Sequence, residues 1–213
     1  MRTFKSLPVL LAVGLTAATF GMSAPAQADS ATLKDAPNDV RVTTVTDPNI
    51  DPVVAIDPDN ARVDITKAVI KHGLRRVKVV VHVRDLRARK LPALQVVFKT
   101  NAGIYVGLLT KDPLVGTQLD LVTPDPKAGL THCRGSRQSF KSALDVASFS
   151  LPRRCLGNPR WIRAQAGLSD VAFVEGATPE QFTVISFDDV AGPTGKVPPL
   201  PTKNSTTPNL FRG

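Results

Sequence analysis

The chain has 213 residues, of which 42% are hydrophobic and 21% are charged, and its formal net charge at pH 7 is +9. That length and apolar content support one domain of ordinary size with a hydrophobic core. Only three His, none at the spacing of a zinc pair, and only two Glu are present. Composition therefore disfavours a zinc enzyme and a glycosidase that uses paired glutamates.

The first 28 residues have the three parts of a secretory signal peptide. Arg2 and Lys5 give a basic start, residues 7–20 form an apolar run, and residues 26–28 (Ala-Gln-Ala) are a small-residue cleavage site. We expect cleavage before Asp29 and a secreted, extracellular or wall-associated protein. We expect no transmembrane segment after cleavage, because the apolar run is short for a bilayer and no second run follows.

The segment from Asp29 to Asp64 is acidic, whereas the rest of the chain is basic. It holds eight Asp against three basic residues, a balance of −5. Clustered Asp side chains supply the hard oxygen ligands that calcium prefers, so Asp35, Asp39 and Asp64 are candidate calcium ligands. Asp-Pro and Asp-Asn sequences are also ordinary turn formers, and the sequence leaves both interpretations open.

Residues 62–84 predict a β-hairpin. Its second half alternates four valines with other residues, the period of a strand with one buried face: Val77, Val79, Val81 and Val83. We expect a loop over residues 72–75, because Gly73 can adopt a positive φ angle without steric cost. That loop places Ile70 opposite Val77. The apolar residues of the first strand are out of phase with one another, which predicts a β-bulge near Thr66 and Lys67.

The remaining strands predict an antiparallel sandwich. A second hairpin spans residues 94–109 with its turn at 101–103. Four shorter candidates follow: residues 117–123, 143–151, 161–168 and 181–187. Seven to nine short strands separated by turn residues, with no sustained helical periodicity, favour a single all-β domain over residues 29–186, Ig-like or jelly-roll-like. Residues 187–213 are rich in Pro and Thr, and we expect a disordered tail.

Cys133 and Cys155 are the only cysteines. In an exported protein such a pair normally forms a disulfide, which here would stabilise the fold by roughly 3 kcal/mol. The alternative, a Cys nucleophile beside His132, would require the second Cys to stay unpaired. We therefore expect one disulfide and no catalytic thiol.

Two stretches resemble secreted actinobacterial β-sandwich proteins of unassigned function, and more distantly the carbohydrate-binding DOMON-type sandwiches. The first is Asp35-Ala-Pro-Asn-Asp39 followed by Asp64-Ile65 and the valine hairpin; the second is residues 146–162, with Pro152, Cys155 and a strand that begins at Trp161. The resemblance covers about residues 33–170. It implies a sandwich fold and an extracellular setting, and it transfers no catalytic residue.

Basic residues mark the candidate binding surface. One cluster consists of Arg84, Arg87, Arg89 and Lys90; a second consists of Arg134, Arg137, Lys141, Arg153, Arg154, Arg160 and Arg163. Guanidinium groups bond two oxygens of a phosphate, sulfate or carboxylate at once. For an exported protein this predicts an anionic cell-wall or extracellular polymer as partner, and not genomic nucleic acid.

Three alternatives remain open at this point. The basic residues can be a solvated surface that only confers solubility. A carbohydrate-binding module would use Trp161 and Tyr105 as aromatic platforms. A secreted hydrolase would have to use Asp carboxylates, none of which the sequence marks out. The sequence favours a non-catalytic binding or structural module without a cofactor, apart from the candidate calcium site.

Overall fold

The computed structural model describes residues 29–45, 53–86, 91–112, 114–125, 127–173, 183–189 and 207–212. The predicted signal peptide lies outside these residues. The strands are β1 (Asp29–Lys34), β2 (Arg41–Val45), β3 (Val53–Ile56), β4 (Ile65–His72), β5 (Arg76–Val83), β6 (Leu91–Thr100), β7 (Gly103–Asp112), β8 (Gly116–Val122), β9 (Leu130–His132), β10 (Arg137–Lys141), β11 (Val146–Pro152), β12 (Trp161–Phe173), β13 (Thr183–Asp189) and β14 (Leu210–Phe211). Two short 3-10 helices span Ser142–Leu144 and Arg153–Leu156. Across these described ranges, no helix has the length and apolar character needed to cross a membrane.

Two antiparallel sheets pack into a sandwich. The five-stranded sheet has the order β1-β4-β5-β11-β10. The nine-stranded sheet has the order β3-β2-β13-β12-β6-β7-β8-β9, with β14 paired to β12. Every strand pair described is antiparallel. The predicted class, an antiparallel β-sandwich with one disulfide, is confirmed.

Alternate side chains of both sheets form the core. Phe98 of β6 and Phe149 of β11 meet edge to face, with their ring centroids 6.2 Å apart and their planes at 85°. Such a pair adds about 0.5–1.5 kcal/mol beyond the area that it buries. Gly107 of β7 lies under the same ring, and a Cβ atom there would come within 3.1 Å of Phe149 Cζ. The two sheets therefore meet closely through Phe149.

The predicted hairpin is confirmed in type and corrected in register. The loop occupies residues 73–75, where the Gly73 amide donates to the Arg76 carbonyl at 2.9 Å. His72 is still in β4 and pairs with Val77, so Ile70 lies opposite Val79 rather than Val77. A shift of two residues leaves every side chain on its predicted face.

The predicted bulge is confirmed. The register shifts between Ile65 and Lys67, and Thr66 is the extra residue. Ile65 and Ala68 are both fully buried as a result. The extra residue brings the apolar side chains before and after it onto the same face.

The second hairpin and the four shorter strands are all present, but six strands were not predicted: β1, β2, β3, β9, β10 and β14. The expected tail is also corrected at both ends. β13 continues to Asp189, and residues 207–212 pack on the sandwich, with Thr207 1% and Leu210 4% exposed. The Thr207 amide donates to the Ala164 carbonyl at 3.0 Å. Average composition missed this segment because a single apolar residue, Leu210, anchors it; residues 190–206 lie outside the described ranges.

Candidate functional site

The outer face of the five-stranded sheet carries basic residues and no acidic ones. The alternating burial of each strand shows which residues point outward. We call the outward basic residues of this sheet the basic face: Lys34, Lys67, Lys71, Arg76, Lys78, Arg137 and Lys141. Neutral residues occupy the other outward positions of these five strands, which are all described. A surface without carboxylates lacks the counter-charges that usually neutralise such cations.

The basic face is arranged in two rows that cross the strands. In one row Lys71, Lys78, Ser150 and Arg137 lie opposite one another on β4, β5, β11 and β10. The other row runs from Lys34 through Lys67 and His82 to Val146 and Lys141. The rows are four residues apart along each strand, or about 13 Å. Two parallel bands of positive charge result, with a neutral row between them.

A cavity of about 400 Å³ opens at one end of the basic face, and we call it the Ser150 pocket. Its lining includes three cations and three hydroxyl groups: Arg76, Lys78, Arg137, Ser139, Ser148 and Ser150. None of the described lining residues is Asp or Glu. The volume lies in the range of small-ligand sites. The pocket can therefore present several hydrogen-bond donors to a negatively charged group.

Arg76 is held in place by its neighbours. Its Nε donates to Ser150 Oγ at 2.7 Å, and its Nη2 donates to the carbonyls of Ser150 at 2.8 Å and Gly135 at 2.9 Å. Burial, together with the positive charges of Arg137 and Arg154, lowers the pKa of the Arg76 guanidinium. Like charges are thus crowded around a fixed guanidinium, an arrangement that an anion would stabilise.

The disulfide between Cys133 and Cys155 is confirmed, with its Cα atoms 6.0 Å apart. It joins the segment before β10 to the 3-10 helix that follows β11. Alongside it, Arg154 Nη2 donates to the Arg134 carbonyl at 2.8 Å. The cross-link therefore fixes the position of β10, which carries Arg137.

The second predicted basic cluster is split by the fold. Arg137 and Lys141 belong to the basic face, and Arg154 is close enough to influence Arg76. Arg153 is buried, and its Nη1 donates to the Leu74 carbonyl at 2.9 Å, so its role is structural. Arg163 lies on β12 of the other sheet, where its Nε donates to Asn209 Oδ1 at 2.6 Å; Arg160 lies just before that strand.

Of the first predicted cluster, Arg87, Arg89 and Lys90 lie outside the described residues. Arg84 is engaged by the acidic segment: its Nε is 3.2 Å from Asp64 Oδ2, and its guanidinium also bonds the Asn38 side chain. Its Nη2 donates to the Pro58 carbonyl at 2.9 Å. Arg84 therefore joins the hairpin to the acidic turns and is not part of the basic face.

Two of the three candidate calcium ligands, Asp35 and Asp64, accept hydrogen bonds within the protein. Asp64 is fully buried, and its Oδ2 accepts from the Asn38 amide at 3.0 Å as well as pairing with Arg84. Asp35 Oδ1 accepts from the Ala36 amide at 3.0 Å. Within the part of the chain that the structure describes, no three His, Cys, Asp or Glu side chains are grouped to hold a metal ion. Calcium binding by Asp35, Asp39 and Asp64 remains a prediction.

The aromatic platforms proposed for a neutral sugar are poorly placed. Tyr105 is 7% exposed, and its hydroxyl lies 2.7 Å from where a Cβ of Gly157 would be. Trp161 is half-buried on β12 and pairs with Phe211. Tyr105 therefore belongs to the core, which leaves Trp161 as the only described member of that pair with access to solvent.

Sequence reasoning missed most of the basic face, including Lys34, Lys67, Lys71 and Lys78. The signal that marks them is their alternation with the buried residues of the valine hairpin, where the outward positions include Lys67, Lys71 and Lys78. The first predicted cluster was instead the run of neighbouring basic residues at 84–90.

Comparison with known proteins gives no match: no protein-family model, curated protein or solved structure is significantly similar to this chain.

Proposed function

We propose that this protein is a secreted, non-catalytic module that binds anionic extracellular or cell-wall polymers through the basic face. The observation that carries the proposal is the outward surface of five adjacent strands with seven cations and no carboxylate. The predicted signal peptide supplies the extracellular setting. Teichoic-acid-like polyol phosphates and acidic polysaccharides are the polymers with the required charge.

The arrangement of the charges supports a polymer rather than a single small ion. A lone exposed ion pair contributes about 0–1 kcal/mol in water. A chain of negative groups that lies along a row of cations makes several such contacts at once and releases the counterions that it had condensed. The two rows are about 13 Å apart, so they can contact two polymer chains or two successive segments of one folded polymer chain.

The test measures binding of the purified protein to polyphosphate and to dextran sulfate as a function of salt. Lys67, Lys71 and Lys78 are changed together to Gln; the matched control changes Lys99, Lys111 and Lys127, which lie away from the basic face. We expect the first variant to bind roughly 10- to 100-fold more weakly at 0.1 M salt, and its slope of log affinity against log salt to fall by about 2.

The control variant removes the same net charge and should bind within about twofold of the unchanged protein. An equal loss in both variants would mean that net charge alone governs binding, and the basic face would then be an ordinary solvated surface. Circular dichroism of both variants checks that the sandwich is intact.

A further inference from the structure

Three cations are neighbours of Ser150. Lys78 and Arg137 lie directly opposite Ser150 on the two neighbouring strands, at the close cross-strand distance of a sheet. Arg76 reaches the same hydroxyl from the end of β5, with Nε donating to Oγ at 2.7 Å. This grouping of three cations around one hydroxyl-bearing residue occurs at the Ser150 pocket; in the second row Lys34 and Lys67 are adjacent, and no Ser lies in that row.

The pocket offers donors from several directions. Because Ser150 Oγ accepts a hydrogen bond from Arg76, its own proton can be donated to a ligand. Ser139 and Ser148 pair directly across β10 and β11 and line the same cavity. Each hydroxyl rotates to suit its partner. The donors thus come from three strands, from both sides of Ser150 as well as from its own strand.

This arrangement fits a tetrahedral oxyanion better than a carboxylate. The two oxygens of a carboxylate lie in one plane, whereas the oxygens of a phosphate or sulfate ester point out of any single plane. Guanidinium and hydroxyl donors form short, charge-assisted bonds to such oxygens. The cavity of about 400 Å³ also leaves room for the polymer unit that carries the group.

We propose that the Ser150 pocket holds one phosphate or sulfate ester group of the bound polymer and makes the basic face select such polymers over those that carry only carboxylates. This inference rests on the proposed function, because the pocket is one end of the basic face. Arg76, Arg137 and Lys78 supply the charge. Ser150 positions Arg76 and donates to the ester oxygen.

The experiment compares polymers that carry different anionic groups at matched charge density. Affinities of the purified protein for dextran sulfated to the charge density of polygalacturonate, for poly(glycerol phosphate) and for polygalacturonate itself are measured at one salt concentration. Ser150→Ala keeps the net charge and removes the hydroxyl. Ser30→Ala is the matched control, since Ser30 is exposed on the same face, three strands away on β1. Inorganic sulfate and phosphate are titrated as competitors.

We expect the unchanged protein and the Ser30→Ala variant to bind the sulfate or phosphate polymer at least about tenfold more tightly than polygalacturonate. Ser150→Ala should reduce that preference by about tenfold, the usual effect of one hydrogen bond to a charged group. The polymer whose affinity depends on Ser150 identifies the ester, phosphate or sulfate. Competition by the corresponding inorganic anion should also weaken in this variant.

Equal affinity for all three polymers, or a preference that Ser150→Ala leaves unchanged, overturns the subsite while the basic face still binds polyanions. Failure of every polymer to bind overturns the proposed function, and the subsite with it. A melting temperature of Ser150→Ala close to that of the unchanged protein establishes that altered selectivity is local to the pocket.

Discussion

The two outer faces of the sandwich differ, although both are built from the outward residues of strands over the same core. The face of the five-stranded sheet is basic, and its other outward positions hold polar residues and three half-buried valines, Val69, Val80 and Val146. The face of the nine-stranded sheet carries an apolar row, in which Leu130, Val122, Val106 and Val97 lie opposite one another on four adjacent strands. Leu130 is 63% exposed and Val122 is 40% exposed. The same alternation of inward and outward residues thus supports two surfaces of different chemistry.

Charge is distributed as unevenly as polarity. On the nine-stranded face, Lys99 and Arg163 lie opposite each other, and Asp120 lies opposite His132. Cations and carboxylates are mixed there. Among the described strands, the outward positions of the five-stranded sheet hold seven cations and no carboxylate, whereas those of the nine-stranded sheet hold both signs. A net charge that served only solubility would not require such segregation, and this is why location, rather than total charge, supports the proposed function.

Both faces depend on one core, and Phe149→Ala tests that dependence with the largest expected effect. The ring packs against Phe98 and over Gly107 of the opposite sheet. Its removal should lower the free energy of unfolding by about 3–5 kcal/mol, because the cavity cannot collapse between two rigid sheets. Urea unfolding followed by tryptophan fluorescence and circular dichroism measures the change.

The two signals should stay coincident in Phe149→Ala, as expected for one cooperative unit. Val80→Ala is the control, because Val80 points outward on the basic face and is only partly buried. Separate transitions for the two sheets would mean that the faces are supported by independent cores.

Removing the disulfide tests whether one face is held more firmly than the other. Changing Cys133 and Cys155 together to Ala opens a loop whose ends are 22 residues apart. The protein should lose about 3 kcal/mol of stability. β10 is an edge strand and should exchange its amide hydrogens faster than β7 in the other sheet.

Because β10 carries Arg137, affinity for polyanions should fall in the same double variant. The control is Phe98→Leu, a core substitution that keeps the disulfide beside β10, and its affinity for polyanions should not fall. Hydrogen exchange measured by mass spectrometry separates the two strands. Equal protection of β7 and β10 after removal of the disulfide would contradict a specific role for the cross-link at the basic face.

Local features of this fold could be predicted from the sequence because they depend on residues that are close together in the chain. The alternation of valines gave the inward face of β5, and the phase conflict around Thr66 gave the bulge. The order of strands could not be predicted in the same way. β5 pairs with β11, whose first residue is 63 positions after the end of β5, and alternation says which face is buried but not which strand lies alongside.

The candidate site shows the same limit. Lys71, Lys78 and Arg137 are neighbours only because β4, β5, β11 and β10 are adjacent in the sheet. Grouping basic residues by their closeness in sequence instead predicted Arg84 as a binding residue, but in the structure Arg84 pairs with Asp64. Asp64 was a candidate calcium ligand because of its residue type. In the structure its buried carboxylate is instead neutralised by the partly buried guanidinium of Arg84, 20 residues later in the sequence.

The smallest expected effect comes from two His on opposite sides of the five-stranded sheet. His72 points inward, is fully buried, and its Nδ1 donates to the Leu210 carbonyl at 2.8 Å. Burial lowers the pKa of His72 below its usual 6.5, against the raising effect of that hydrogen bond. Burial and the charge of Lys67 lower the pKa of His82, which points outward.

A lowered pKa in the folded state means that the unfolded chain takes up a proton first as the pH falls through 6.5. Stability is therefore complete above this pH and decreases below it. His72→Gln keeps a side-chain donor for Leu210 and cannot titrate, so its melting temperature should fall less between pH 7.5 and pH 5.5 than that of the unchanged protein.

His82→Gln should reduce the acid-induced loss by a smaller amount, because His82 is only partly buried. An acid response that depends on His82 but not on His72 would contradict the assignment of His72 as the inward, neutral histidine that holds residues 207–212 against β4. It would instead place the pH dependence on the basic face, where added protons increase a positive charge that is already uncompensated.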